Sequence, residues 1–499
     1  MQRLSIVIAA VFAVLLSAHV VADVPQVETK QGKFSGTVED GAYAFRGIPY
    51  ARPPVGDLRW QAPAGVSSHD GVRSADVFGA SCVQPRPGLE TSEDCLFLNV
   101  WAKTLDAGKH PVMVWIHGGG FRGGTGNLGG AVLAQQDVVG VSFNYRLGPL
   151  GFFAHESLPG KQANFGLLDM VAVLEWVQTN IAEFGGDPNN VTIFGVSAGG
   201  MAVDLLMVTE QARGLFHRAI AQSGYGTWAL PYSRFATGSA PLDFDYSPLP
   251  RAEAMSAELV ARVTAKEQSL RQLRELDAMQ LASALRGFQV PIVDGHSLNA
   301  EPGILFRQGK QHDVPFMTGG NSNEGTVMGG SGLGVEQFAA SFTSDTARAK
   351  ALYKDDFARD EASGWRRTFG DNRYLLSAYQ LGLGMTTVSS RAWLYYVDFI
   401  PTANQGEWIG TPHGMDSFFL LRGHTSDDPS VRQLGDRMLR YWVNFARTGN
   451  PNDAKQMHWP AFTAGAPDWL VFSQADSVVS GVLAEKLKFL SDRYDRRTR

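Results

Sequence analysis

Gly195-Val196-Ser197-Ala198-Gly199 follows the apolar run Val191-Thr192-Ile193-Phe194 and precedes the small residues Gly200 and Ala202. Val, Thr, Ile and Phe favour a strand, and the small residues after them can open a helix. A chain that turns sharply from strand to helix at one residue needs glycines on both sides of it, because side chains there would collide. Such a turn lifts the Ser197 hydroxyl clear of a sheet, where a base and a substrate reach it. Glycine makes up 55 of the 499 residues, so the five-residue pattern alone is equally that of an ordinary turn. The strand before it and the helix after it favour a nucleophile.

The flanking sequence supports the same topology. Pro111 to His117 and Val138 to Tyr145 read as buried strands, and Met170 to Phe184 carries apolar residues at helical spacing. Strand, helix and strand in that order predict βαβ units and a parallel sheet, with ligands at the carboxyl ends of the strands. The chain is 44% hydrophobic and 19% charged, as a globular protein is. Its length fits one large α/β domain with insertions or several smaller ones. Ala252 to Leu285 and residues 330–390 are helical in character and read as insertions into a sheet-based core. A loop over 226–250 precedes the first, the loop Pro401 to Thr411 leads to His413, and Arg432 to Phe445 reads as a helix ended by Gly449-Asn450-Pro451.

The formal charge of −5 comes from 44 basic and 49 acidic side chains, with no basic tract of the kind that binds nucleic acid. Arg3, the apolar stretch Leu4 to Leu16 and the small residues Val20-Val21-Ala22 have the layout of a secretory signal peptide cut before Asp23. An uncleaved anchor is the alternative, but spanning a bilayer takes about 20 apolar residues. The expectation is therefore a signal peptide over 1–22, export to the periplasm or medium, and no membrane span in the mature chain. Cys82 and Cys95 are the two cysteines. In an oxidising compartment such a pair forms one local disulfide, whereas two free buried thiols are the alternative. Two cysteines without a nearby histidine cannot complete a metal site.

A serine needs a histidine to take its proton, an acid to orient that histidine, and donors for the developing oxyanion. His117-Gly118-Gly119-Gly120-Phe121 follows a strand, and its glycines let bare backbone N–H groups approach a substrate; a merely flexible glycine loop is the alternative. Ala198, the residue after the nucleophile, offers another N–H. Of the histidines after Ser197, His413 stands out because Thr411-Pro412-His413-Gly414 is a tight turn ahead of apolar Phe418 to Leu421. Glu324 is the candidate acid, among glycines after the strand expected at Val314 to Thr318, though a solvated loop glutamate would look the same. Chain order narrows these two choices without fixing them.

Longer strings now add to this reading. Phe45-Arg46-Gly47-Ile48-Pro49-Tyr50-Ala51, Glu93-Asp94-Cys95-Leu96-Phe97-Leu98-Asn99-Val100 and Asn144-Tyr145-Arg146-Leu147-Gly148 occur in that order. Gly166-Leu167-Leu168-Asp169, Phe184-Gly185-Gly186-Asp187-Pro188, Gln222-Ser223-Gly224 and Phe445-Ala446-Arg447-Thr448-Gly449-Asn450-Pro451 follow. In these motifs the chain resembles the type-B carboxylesterase family, which includes cholinesterases and bacterial nitrobenzyl esterases, from about residue 25 to 465. The resemblance implies an α/β-hydrolase fold over a single domain, 23–499, and hydrolysis of small-molecule carboxylic esters without a cofactor or metal. It implies a Ser197, Glu324 and His413 triad, with Gly119, Gly120 and Ala198 as oxyanion donors, Ser223 beside the acid, and a Cys82–Cys95 disulfide. A lipase, or a non-catalytic binding protein on the same fold, is the competing reading.

Two departures bear on the substrate. The family usually has glutamate before the nucleophile, where this chain has Val196. The Cys82–Cys95 loop is short and lacks an aromatic residue, whereas cholinesterases stack the choline cation on a Trp there. Both point away from cationic esters and toward neutral, largely apolar ones.

Overall fold

The computed structural model describes residues 24–238, 241–265 and 268–498. The expected signal peptide, 1–22, lies outside the described residues. The core is an eleven-stranded sheet. In chain order its strands are β1 (Thr37–Glu39), β2 (Ala42–Pro49), β3 (Phe97–Ala102), β4 (His110–Ile116), β5 (Val139–Phe143) and β6 (Gly186–Val196). β7 (Arg218–Gln222), β8 (Phe316–Asn321), β9 (Ala392–Val397), β10 (Asp468–Phe472) and β11 (Ser477–Ser480) complete it. Across the sheet the order is β1-β2-β3-β5-β4-β6-β7-β8-β9-β10-β11.

From β5 to β10 neighbouring strands pair parallel, and the remaining pairs at both edges are antiparallel. A parallel centre must be covered on both faces, so its strands read as nearly unbroken apolar runs. Val112 to Ile116 and Val191 to Phe194 are buried throughout. This is the mostly parallel, helix-flanked sheet that the resemblance implies. Because β4, β6, β7 and β8 are adjacent and codirectional, their carboxyl ends bring His117, Ser197, Ser223 and the Asn321–Glu324 turn to one edge.

Several expected boundaries shift. The helix expected at Met170 to Phe184 runs Phe165–Asn180, and Ile181–Phe184 tightens into a 3-10 turn. That helix is apolar on most of its surface, so no narrow stripe marks its start. The stretch from Ala252 to Leu285 is three helices, Ala252–Ala261, Leu270–Glu275 and Ala278–Ala284. Ser269 and Asp277 break it, because each side chain accepts a backbone N–H three residues on and starts a new helix. The strand expected at Val314 to Thr318 is β8, two residues later, and the helix expected at Arg432 to Phe445 spans Pro429–Thr448. Cys82 and Cys95 are joined by a disulfide. No helix among the described residues is long and apolar enough to cross a membrane.

Candidate active site

Ser197 stands between β6 and the helix Ala198–Leu206 with φ 60° and ψ −119°. A non-glycine residue there carries strain of order 1–3 kcal/mol, held by its surroundings. The Ser197 N–H donates to Gln222 O on β7 at 2.8 Å, and Ser197 O accepts from Met201 N at 2.8 Å. The flanking glycines are required by crowding. A Cβ on Gly195 would lie 2.5 Å from Ile116 O, and one on Gly199 would collide with the same oxygen.

The loop after β4 folds over this turn. A Cβ on Gly118 would fall 2.6 Å from Val196 O, so the loop backbone lies directly against the turn. Gly119 and Gly120 adopt φ of 116° and 63°, both in the region that favours glycine. The loop is pinned by Arg122 N and Gly123 N donating to Gly119 O, by Gln289 N donating to Gly120 O at 2.9 Å, and by Gly148 N donating to Phe121 O. The N–H groups of Gly119, Gly120 and Ala198 donate to no described residue. His117 supports the loop from inside: its ring stacks on Tyr145 at 4.3 Å, and Tyr145 Oη donates to His117 O at 2.9 Å. Burial lowers the His117 imidazole to about 4 against the upward pull of its bond to Gly118 O, so it is neutral at neutral pH.

Glu324 begins the turn after β8 and is 1% exposed. Its Oε2 meets His413 Nδ1, while Oε1 accepts from Ser223 Oγ at 2.6 Å, Asn321 N at 2.6 Å and Asn321 Nδ2 at 3.1 Å. Burial alone would raise this carboxyl. His413 and the bonds from Ser223 and Asn321 outweigh it and hold Glu324 below the usual glutamate range. His413 leans on the Tyr374 ring at 4.6 Å, and its backbone N–H donates to Thr326 Oγ1.

His413 Nε2 is buried and makes no hydrogen bond to a described residue. Ser197 Oγ likewise makes none. Serine and histidine thus both line one cavity. That cavity, of about 590 Å³, is lined by Ser197, His413, Gly118 to Gly120, Val196, Phe288 and Val327 among others. The arrangement can supply a nucleophile, an oriented base and backbone donors for an oxyanion.

Sequence reading missed a second buried carboxylate, Asp416. Asn321 Nδ2 donates to Asp416 Oδ1 at 3.2 Å, and Tyr395 Oη donates to Asp416 Oδ2 at 2.6 Å. Burial first, and then the charge of Glu324, raise the Asp416 carboxyl. Gln84 was also missed. Its side chain brackets Gly124, donating to Gly124 O at 2.7 Å and accepting from Gly124 N at 2.8 Å. A long-range side-chain bracket of this kind leaves no periodic signal.

With this geometry in hand, comparison with known proteins gives consistent matches. The model of the "Carboxylesterase family" matches residues 23–490. A "Fumonisin B1 esterase" from Sphingopyxis macrogoltabida is 36% identical over 472 residues, covering 87% of this chain and 84% of that protein. A "Para-nitrobenzyl esterase" from Bacillus subtilis (strain 168) is 30% identical over 495 residues, covering 92% and 97%. Among solved structures, a PNB esterase superposes with a TM-score of 0.79 at 29% identity, covering 93% of this chain and 99% of that one. The Geobacillus stearothermophilus carboxylesterase gives 0.80 at 29% identity over the same shares.

Proposed function

Because this chain belongs to the carboxylesterase family, with its α/β-hydrolase fold and its ester hydrolysis, we propose that Ser197, His413 and Glu324 carry out that hydrolysis as a triad. The observation that supports it best is His413 itself. Its Nδ1 is engaged by Glu324, and its Nε2 is unpartnered in the cavity that holds the Ser197 hydroxyl. Ser197 Oγ bonds to the ester carbonyl carbon as His413 Nε2 takes its proton. The oxyanion then lies against the N–H groups of Gly119, Gly120 and Ala198. His413 returns the proton to the leaving alcohol, leaving an acyl-enzyme on Ser197. A water deprotonated by His413 attacks that ester, and the acid departs as Ser197 recovers its proton. Glu324 keeps the imidazole in the required tautomer throughout.

Val196, which precedes Ser197 in the chain, and Phe288, Val327 and Gly118 to Gly120 give the cavity lined by Ser197 an uncharged stretch of wall. We read the groups beside the scissile bond as neutral and largely apolar on that account. Residues 1–22 are read as an export signal on a single domain, 23–499, an assignment that the Cys82–Cys95 disulfide supports.

A fluorophosphonate probe tests the triad. It should label Ser197 alone, and Ser197→Ala should lower kcat by a factor on the order of 10⁴ or more. Near-normal turnover in that variant would overturn the assignment.

A further inference from the structure

Beyond the uncharged wall at Ser197, the same cavity has a one-sided charge. Apart from His413, its ionisable lining side chains are Arg86 and Arg122, and no Asp or Glu lines it. Neither arginine side chain makes an ion pair or hydrogen bond with a described residue. The carboxylates of the site, Glu324 and Asp416, are fully buried and already engaged by His413, Ser223, Asn321 and Tyr395. Val196 is also apolar, so no negative charge offsets the arginines at the cavity wall.

Both arginines are placed by built structure. Arg122 belongs to the oxyanion loop, and its backbone N–H donates to Gly119 O at 3.2 Å. Arg86 belongs to the loop closed by the Cys82–Cys95 disulfide. Gln84, two residues earlier and 2% exposed, holds that loop to the oxyanion loop through its two bonds to Gly124. The bracket brings the arginines to one cavity from segments about forty residues apart. Arg122 is half-buried and Arg86 exposed, so the bracket fixes the segments that carry the two arginines while the guanidinium groups stay open to a ligand.

A guanidinium matches a carboxylate in shape and charge, and binds it through paired N–H···O bonds. A cleft lined by one sign of charge also concentrates ligands of the opposite sign. We propose that this enzyme selects esters bearing a free carboxylate a few bonds from the scissile linkage, with Arg122 and Arg86 as specificity-determining residues. This rests on the assignment of the Ser197 cavity as the catalytic site.

Two matched pairs of esters test it. On the acyl side, 4-nitrophenyl hydrogen adipate is compared with its methyl ester; on the alcohol side, 4-butyryloxybenzoate is compared with its methyl ester. The readout is the ratio of kcat/KM for the anionic member to that for the neutral one. In at least one pair the ratio should exceed about 10 at low salt and fall as ionic strength rises and screens the arginines. The pair that shows it identifies the side carrying the carboxylate. Arg122→Gln and Arg86→Gln should each lower the ratio several-fold, and Arg86→Lys should restore part of it. Should Arg122→Gln disturb the oxyanion loop, Arg86→Gln still decides the question from outside that loop. A ratio near or below one in both pairs, or one unmoved by either glutamine, overturns the proposal. Ser197→Ala separates this from the catalytic assignment: loss of both members with an unbiased wild-type ratio rejects the anion selectivity alone.

Discussion

Ser223 donates its hydroxyl to Glu324 Oε1 at 2.6 Å, on the carboxylate whose other oxygen meets His413. Ser223 is buried and held at φ 49°, with its N–H donating to Gly319 O on β8 at 2.8 Å. It therefore holds the Glu324 carboxylate in place and is not among the residues that line the Ser197 cavity. A hydrogen bond to a charged group contributes about 1.5–3 kcal/mol, and Ser223→Ala leaves Asn321 still bonded to the same oxygen. The variant should lose roughly tenfold in kcat with little change in KM, because the loss falls on the imidazolium formed in the transition state. Its activity should also fall away at higher pH than in the wild type as acid is added, since Glu324 loses a bond that lowers its carboxyl. Stopped-assay pH profiles of both proteins check this; an unchanged profile with lowered kcat would mean that Ser223 acts through packing alone.

His117 makes stability depend on pH. Its folded-state value of about 4 lies below the ordinary 6.5. Between those values the unfolded chain holds a proton that the folded chain excludes. Stability from this group is therefore present above pH 6.5 and is lost as pH falls toward 4. Asp371, raised by burial to about 6, has the opposite slope over much of that range. A single wild-type curve would mix the two, whereas a comparison with His117→Asn cancels Asp371. The variant's unfolding free energy relative to wild type should improve by about 2.5 kcal/mol between pH 7.5 and 4.5. Urea titrations at both values measure it, and a flat difference would mean that the buried ring accepts a proton in the folded state.

The disulfide loop couples stability to the site. Cys82 and Cys95 are 13 residues apart, so the closed loop contributes about 3 kcal/mol or less on the chain-entropy estimate. A Cys82→Ser, Cys95→Ser variant should lose no more than that in unfolding free energy. It should also lose catalytic turnover, because Gln84 reaches Gly124 from this loop. Alkylation of denatured, unreduced protein should modify neither cysteine when the protein is purified from an oxidising compartment. Two reactive thiols would contradict the export reading.

The sheet was legible because parallel strands buried on both faces leave continuous apolar runs, and β4, β5 and β6 carry them. The sharp strand-to-helix turn at Ser197 was legible for a related reason, since crowding against Ile116 O admits only glycine at 195 and 199. The elements that failed are those fixed by local polar bonds or by distance. Ser269 and Asp277 divide one apparent helix into three, although Gln272 three residues after Ser269 is a capping signature that the sequence did display. Arg146 and Asp169 stood in separate recognised strings, yet their buried ion pair at 2.7 Å appears only once the helix Phe165–Asn180 packs beside the β5 exit. Asp416 and Asn321 are 95 residues apart, and only the meeting of two loops at the sheet edge brings them together.

Val196 lines the cavity beside Ser197 and packs against the apolar cluster behind β6. Val196 and His413 line the same cavity, so a carboxylate at position 196 would share it with the imidazole and with a bound ester. At about 6 Å two charges interact by roughly 1–3 kcal/mol between the dielectric of water and that of a protein surface. Val196→Glu should therefore favour a cationic alcohol over a neutral one of the same shape. Acetylcholine and 3,3-dimethylbutyl acetate share the acyl group and differ only in charge, so the ratio of their kcat/KM values isolates the effect. That ratio should rise several-fold in the variant and shrink again in high salt, because the cavity opens to solvent. The same new charge favours a protonated imidazole, so the acidic limb of the rate profile should move to higher pH. It would also oppose the field of Arg86 and Arg122, lowering the preference for the anionic member of each ester pair. The three shifts share one electrostatic cause and should appear together. A folded, active Val196→Glu enzyme in which none of them moves would show that Val196 serves only to fill the space behind Ser197.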